Sequence, residues 1–187
     1  MNEEKKSLDV FGAWLIVAGT MVNASGETLA LTGAEQAAFK ATGAGNAIEA
    51  SGNALQAAVR SGDPANRLSA LGAWVQAAGN TANAAARIPL LSGDLQEGYQ
   101  LDVIGNAVQS IGAATEAIAA SSARDRLFKE QLTAGYLLIA GGAVIDAISG
   151  IYFLKEFTQK GRAFGWFGGY LQATGALLAA DALTNEP

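Results

Sequence analysis

The residues able to carry chemistry are few in kind. The 187-residue chain contains no Cys and no His, which excludes disulfides, thiolate nucleophiles, Ser-His and Cys-His pairs and imidazole metal sites. A ferritin-like di-iron centre would need Glu-x-x-His motifs, which cannot exist here. Carboxylates remain. Pairs such as Glu3/Glu4 and Glu27/Glu35 show no spacing that separates them from solvated charge. Asp146 differs, being the only charged residue in the 23-residue run from Leu132 to Leu154. One reading makes it a proton-binding or cation-binding carboxylate. The other, which is preferred, places it on whichever face is wet, at the repeat position shared with Glu116 and Asn83. Carboxylates form an active site only where they converge in space. Gly141-Gly142, Gly43-Ala44-Gly45 and Gly165-Trp166-Phe167-Gly168-Gly169 lack the preceding strand and the Lys-Ser/Thr of a phosphate loop. No catalytic residue, metal ligand, cofactor or small-molecule substrate is assigned, and a non-enzymatic role is expected.

Charge narrows the partners. With 12 basic and 17 acidic residues and no basic run, the chain lacks the cationic footprint that neutralises phosphates, so no nucleic-acid partner is expected. At the N-terminus Glu3 and Glu4 offset Lys5 and Lys6 ahead of the apolar stretch Val10 to Val22. This reads as a first helix with a short polar lead and not as a secretory signal. The cytoplasm, or the cell surface by unconventional export, would both be compatible with it.

The elements that position these residues follow from a repeat. Glycines seven apart recur as Gly12/Gly19, Gly45/Gly52, Gly72/Gly79, Gly105/Gly112, Gly135/Gly142 and Gly168/Gly175, with starts separated by 33, 27, 33, 30 and 33 residues. An aliphatic residue stands three after each first glycine (Leu15, Ile48, Val75, Val108, Leu138, Leu171). The next residue is usually polar (Glu49, Gln76, Gln109, Gln172), although Ile16 and Ile139 depart from this. Eight residues after each first glycine stand Thr20, Asn53, Asn80, Ala113, Ala143 and Ala176; eleven after it stand Asn23, Gln56, Asn83, Glu116, Asp146 and Ala179. Amides at these positions could bond between helices or face solvent or a lumen. The alternating intervals predict an all-α fold of six long helices, arranged as three tandem antiparallel hairpins over 8–61, 64–121 and 123–184 within one domain spanning 1–187.

Breakers divide the units. Thr32-Gly33-Ala34-Glu35 and Ser122-Ala123-Arg124-Asp125 read as N-terminal caps, and Gly62-Asp63-Pro64 combines a helix stop, a cap and a first-turn proline. Further breaks are expected from Ile88 to Asp94, with Asp94 and Glu97 at capping-box spacing, and at Gln159-Lys160-Gly161. The aromatic residues around the last turn, from Phe153 to Tyr170, are expected to cap the core at one end.

Glycine inside a helix costs roughly 1 kcal/mol relative to alanine, so twelve of them in heptad register require a packing reason. A bare stripe of period seven lets two backbones approach closely. The twelve paired glycines are therefore predicted to form helix-packing seams. In the fourth helix Val108 and Ile111 are expected in the core, with Gln109 on the polar stripe.

Leu132–Leu154 is long enough to cross a bilayer, and Val10–Val22 and Phe164–Ala180 are nearly as apolar. The Gln, Asn and Glu content of the second to fourth helices argues the other way, as does a helix length of about 38 Å. Basic residues on both sides of the fifth helix give no orientation. Membrane contact stays open.

The phrases Gly72-Ala73-Trp74-Val75-Gln76-Ala77-Ala78-Gly79, Gly105-Asn106-Ala107-Val108-Gln109-Ser110-Ile111-Gly112 and Gly169-Tyr170-Leu171-Gln172-Ala173-Thr174-Gly175 resemble the G-x-x-[VIL]-Q-A-x-G repeats of a bacillus-type repetitive family, DUF6944. The likeness covers most of the chain. It implies a Gram-positive bacterial source and a repeat architecture, and it transfers no functional residue. The expected function is a structural protein whose partner is itself, assembling into an oligomer or filament through small-residue helix faces; the alternative is a membrane-active or pore-forming helical protein.

Overall fold

In the computed structural model residues 3–123 and 127–186 are described; the sequence-based cap at Arg124-Asp125 lies outside them. Six α-helices follow one another: α1 (Glu3–Leu31), α2 (Glu35–Arg60), α3 (Arg67–Ser92), α4 (Leu95–Ser122), α5 (Lys129–Leu154) and α6 (Thr158–Asn185). A single 3-10 turn, Pro64–Asn66, precedes α3. No strand is present among the described residues.

The helix ends explain the short connections. Gly33 and Gly93 take left-handed backbone (φ 83° and 96°) just beyond α1 and α3, a conformation that glycine adopts without steric cost. Asp63 Oδ1 accepts from the Ala65 N–H at 3.0 Å, and Asp94 Oδ1 from the Glu97 N–H at 3.0 Å, so both expected caps form. Thr32 does not cap: its hydroxyl donates back to the Leu29 carbonyl, and α2 starts from Ala34 without a side-chain cap. Pro89 lies within α3, which runs on to Ser92, so the last turns of α3 form without one backbone donor. The last break also moves. Gly161 is buried inside α6, and the α5–α6 turn is made at residues 155–157, where Glu156 has φ 63°. At the opposite end of α5 the Glu186 carboxylate accepts from the Leu127 and Phe128 N–H groups at 3.0 and 3.3 Å, placing negative charge at a helix N-terminus.

Consecutive helices pack side by side, and α1 also packs against α6. The six helices thus close into a ring. Trp14 Nε1 donates to Thr184 Oγ1 at 3.1 Å, and the Thr28 and Tyr170 hydroxyls lie 3.3 Å apart across the closing pair. The most extensive contacts are α1 with α2, α3 with α4, and α5 with α6. One end of the ring carries the start of α1, the 61–66 turn, the end of α4, the start of α5 and the end of α6. The other carries the turns 32–34, 93–94 and 155–157. We refer to them as the first and second ends.

The close approach within hairpins has a single geometry. Gly12 faces Gly52 and Gly19 faces Gly45; Gly72 faces Gly112 and Gly79 faces Gly105; Gly135 faces Gly175 and Gly142 faces Gly168. A Cβ added to any of these twelve would lie 2.5–2.9 Å from the carbonyl oxygen of its opposite glycine. No side chain larger than hydrogen fits without separating the helices.

Candidate functional site

The glycine stripes and the polar stripes are one device. Over each bared glycine lies the residue four or eleven places into the opposite unit: Gln56 over Gly12, Glu49 over Gly19, Asn23 over Gly45, Glu116 over Gly72, Gln109 over Gly79, Asn83 over Gly105, Gln76 over Gly112, Gln172 over Gly142 and Asp146 over Gly168. Where those positions are apolar, Ile16, Ala179 and Ile139 take the same places against Gly52, Gly135 and Gly175. Removing side chains from one helix thus makes room for polar side chains from its partner, which turn toward the ring axis.

The result is an interior that is polar along its length. On α2 the buried face reads Thr42, Asn46, Glu49, Asn53, Gln56, Arg60, a run of about 27 Å at the helical rise. Gln76, Asn80, Asn83 and Arg87 line α3, while Asp102, Asn106, Gln109 and Glu116 line α4. The third hairpin contributes less polarity. Its Tyr136, Ile139, Ala176, Ala179 and Leu183 join Ala13 and Ile16 of α1 in an apolar cluster toward the first end.

Three tiers of ionisable groups follow one another along the axis. At the first end Arg60 lies between two acids: Nε donates to Asp9 Oδ1 at 2.8 Å and Nη1 to Glu116. Gln76 also donates to Glu116, Nη1 of Arg60 to Ser69 Oγ at 2.9 Å, and Nη2 to the Tyr136 hydroxyl at 3.4 Å. A cavity of about 290 Å³ opens onto this tier, lined by Asp9, Arg60, Ser69, Glu116 and Tyr136 among others.

The middle tier is a hub of three equivalent positions, one per hairpin: Glu49, Gln109 and Gln172. Gln109 Nε2 donates to Gln172 Oε1 at 2.7 Å and to Glu49 Oε2 at 3.4 Å. Each member also meets the position-eleven residue of its hairpin partner. Asn23 Nδ2 donates to Glu49 Oε1 (2.9 Å), Asn83 Nδ2 to Gln109 Oε1 (3.3 Å), and Gln172 Nε2 to Asp146 Oδ2 (2.6 Å). A repeat of three hairpins has become a pseudo-threefold polar centre. Its two carboxyl groups, Glu49 and Asp146, accept only from amides.

At the second end Arg87 Nη2 donates to Asp102 Oδ1 at 2.7 Å. A narrow cavity of about 40 Å³ is lined by Arg87 and Asp102 with Glu27, Tyr99, Ser149 and, reaching up from the hub, Asp146. Ser149 donates to the Gly161 carbonyl at 2.7 Å, and Tyr99 stacks on Phe153 with centroids 4.6 Å apart. Phe153 thus caps this end, whereas Trp166 and Phe167 face outward. No group of three or more Asp and Glu residues able to hold a metal occurs among the described residues.

Several expectations change with this geometry. Asp146 is half-buried, turned to the axis, and one of its carboxyl oxygens is enclosed without a partner; the position it shares with Glu116 and Asn83 is an interior position and not a wet outer face. Ile111, expected in the core, is 63% exposed, while Gln109 is 1% exposed. The polarity of α2, α3 and α4, read from the sequence as an argument against lipid, points inward.

The outer surface has the opposite character. Ile104, Ile111 and Ile118 project from α4, Phe11, Trp14 and Met21 from α1, and Leu71, Trp74 and Ile88 from α3; α5 shows Leu137, Val144 and Ile151, and α6 shows Trp166, Phe167 and Leu177. Over residues 11–28, 41–59, 68–92, 98–122, 131–154 and 163–180, every charged residue turns inward, and the outward polar residues are mainly hydroxyls. Ser25, Ser51, Thr81, Thr115 and Thr174 donate to the carbonyl four residues earlier, at 2.7–2.9 Å, so their donors are satisfied without water. By composition alone, α1 and α5 are the two helices among the described residues that are long and apolar enough to cross a membrane. The other helices carry their polar residues on the axial face.

A family model described as a family of unknown function (DUF6944) matches residues 7–180. No curated protein and no solved structure matches the chain.

Proposed function

The chain belongs to the DUF6944 family, a family of unknown function, and we propose that it acts as a membrane-embedded helical bundle that holds a polar column across the bilayer. The observation that carries this reading is the inverted distribution of side chains: charges and amides on the axis, and an apolar surface around the whole ring. In water such a surface is costly, and contiguous apolar patches on monomers rarely exceed a few hundred Å². A neighbouring copy would cover one side of the ring; lipid covers all sides. Helices of 26–29 residues extend about 39–44 Å, longer than the hydrocarbon core, which counted against lipid in the sequence, but equal to a bilayer with its interfacial layers, where the helix ends carry their charges.

Expression in a bacterial host followed by alkaline carbonate extraction tests the reading. The chain is expected to stay with the membrane pellet and to float with phosphatidylcholine–phosphatidylglycerol vesicles after reconstitution. Release into the carbonate supernatant as a monodisperse soluble species would overturn it.

Self-association is the second reading, and one observation favours it. The outward face of α2 carries Ala44, Ala47, Ser51 and Ala58 where the other helices carry large apolar side chains. Small residues at that spacing allow close contact between helices in lipid. Cross-linking through a cysteine introduced at Ala47, but not at Ile111, would support assembly through this face; equal cross-linking at both, or at neither, would remove it.

A further inference from the structure

We propose that the axis of the bundle is a proton path, with Glu49 and Asp146 as its central proton-carrying groups; this rests on the membrane-embedded reading above. Among the described residues the interior holds six carboxyl groups, Asp9, Glu27, Glu49, Asp102, Glu116 and Asp146, against two guanidinium groups, Arg60 and Arg87. Each arginine serves one end of the column. Among the described residues neither hub carboxyl forms an ion pair: Glu49 accepts from Asn23 and Gln109, and Asp146 from Gln172. The charged groups facing the hub are Glu27 of α1, Arg87 of α3 and Asp102 of α4 on one side, and Asp9, Arg60 and Glu116 with the Tyr136 hydroxyl on the other; α6 supplies none. Uncompensated carboxylates in a low-dielectric interior require a proton or a metal cation.

The ligand set decides between the two: no group of three or more carboxylates able to hold a metal occurs among the described residues. The cavity beside Asp146 measures about 40 Å³, and the gap on the other side of the hub, between Gln56, Gln76 and Tyr136, about 10 Å³, room for a few water molecules beside Asp146 and about one in the gap. A second observation points to that water. Asn53 and Asn80 are 1% and 0% exposed, and neither the oxygen nor the nitrogen of either amide has a partner. Asn53 follows Glu49 by one turn on the axial face of α2, and Asn80 follows Gln76 by one turn on α3. Enclosed amides of this kind are normally satisfied by buried water. Water there links the hub to Glu116 and the cavity at the first end. At the second end the 40 Å³ cavity already reaches Asp146. In each transfer an O–H bond of a hydronium or carboxyl group breaks as another forms on the accepting oxygen, and no electrons move. The transmembrane proton gradient supplies the driving force.

The test uses the full chain in phosphatidylcholine–phosphatidylglycerol vesicles containing potassium and a pH-sensitive dye, with flotation and helical circular dichroism checked on each sample. On adding valinomycin, wild-type vesicles are expected to acidify several-fold faster than empty ones. The isosteric pair Glu49→Gln with Asp146→Asn should fall to the empty-vesicle rate while floating like wild type, Asn53→Leu should slow the flux, and Glu49→Asp should restore part of it. Acidification no faster than in empty vesicles, from protein that floats, overturns the proton path and leaves the membrane reading standing; failure to float removes both. Undiminished flux in the double variant overturns the assignment of the two carboxyls. Comparable entry of sodium, read with a sodium-sensitive dye, overturns proton selectivity.

Discussion

Neighbouring residues in α5 separate the two roles that glycine plays in this chain. A Cβ on Gly142 would stand 2.7 Å from the Gly168 carbonyl oxygen, whereas one on Gly141 would meet nothing nearer than Leu171 Cδ2 at 3.9 Å. Gly142→Ala is therefore expected to destabilise the folded protein by about 1–3 kcal/mol through helix separation, while Gly141→Ala is expected to be neutral or to stabilise by up to about 1 kcal/mol through helix propensity. Thermal unfolding in detergent, followed by circular dichroism, distinguishes them; equal shifts would refute the seam. The ion pairs make a second prediction at this scale. Arg60→Met leaves Asp9 and Glu116 facing each other without a cation, and breaking a buried pair of this sort costs about 3–5 kcal/mol. The same unfolding measurement should place this variant well below Arg67→Met, whose side chain lies outside the column.

At the scale of the helix, the decisive property is which face carries which chemistry. On α4, Ile104, Ile111 and Ile118 repeat every seven residues on the outer side, while Asp102, Asn106, Gln109 and Glu116 occupy the inner side. Ile111→Lys is expected to weaken membrane insertion by about 2.5–3.5 kcal/mol on the translocon scale, read as a larger carbonate-extractable fraction. Outer hydroxyls behave differently because they already bond to their own helix. Ser51→Ala and Thr81→Val should change stability by less than about 0.5 kcal/mol, and a larger loss in unfolding assays would show that these hydroxyls serve a partner outside the helix. The sequence made the period of each face legible but not its direction: a seven-residue stripe of isoleucine and a seven-residue stripe of glycine satisfy the same periodicity, and only contact with a neighbouring helix assigns one of them to the inside.

The whole molecule depends on ring closure. Gln109 of the second hairpin bonds to Glu49 of the first and to Gln172 of the third, so the hub is incomplete until all three have packed. A chain ending at residue 122 loses Gln172, Asp146 and the α1–α6 and α4–α5 contacts, and opens the polar interior to lipid. It is expected to be cleared by proteolysis or to resist extraction only as aggregate; a stable, monodisperse two-hairpin fragment in detergent would show that closure is not required.

By itself the sequence determined the local matters: six helical units, glycine pairs in heptad register, caps at Asp63 and Asp94, and the absence of thiol and imidazole chemistry. These follow from residue types and spacings along one chain. It also held the polar positions four, eight and eleven residues into each unit, without saying what they face. Tertiary structure alone decided that these positions lie over a partner's glycines and converge on one axis, that Asp146 belongs to an interior hub, and that Ile111 faces out. The reason is physical: a side chain's surroundings depend on which helix stands opposite, and side chains 60 residues apart in sequence, such as Glu49 and Gln109, meet only when the ring closes.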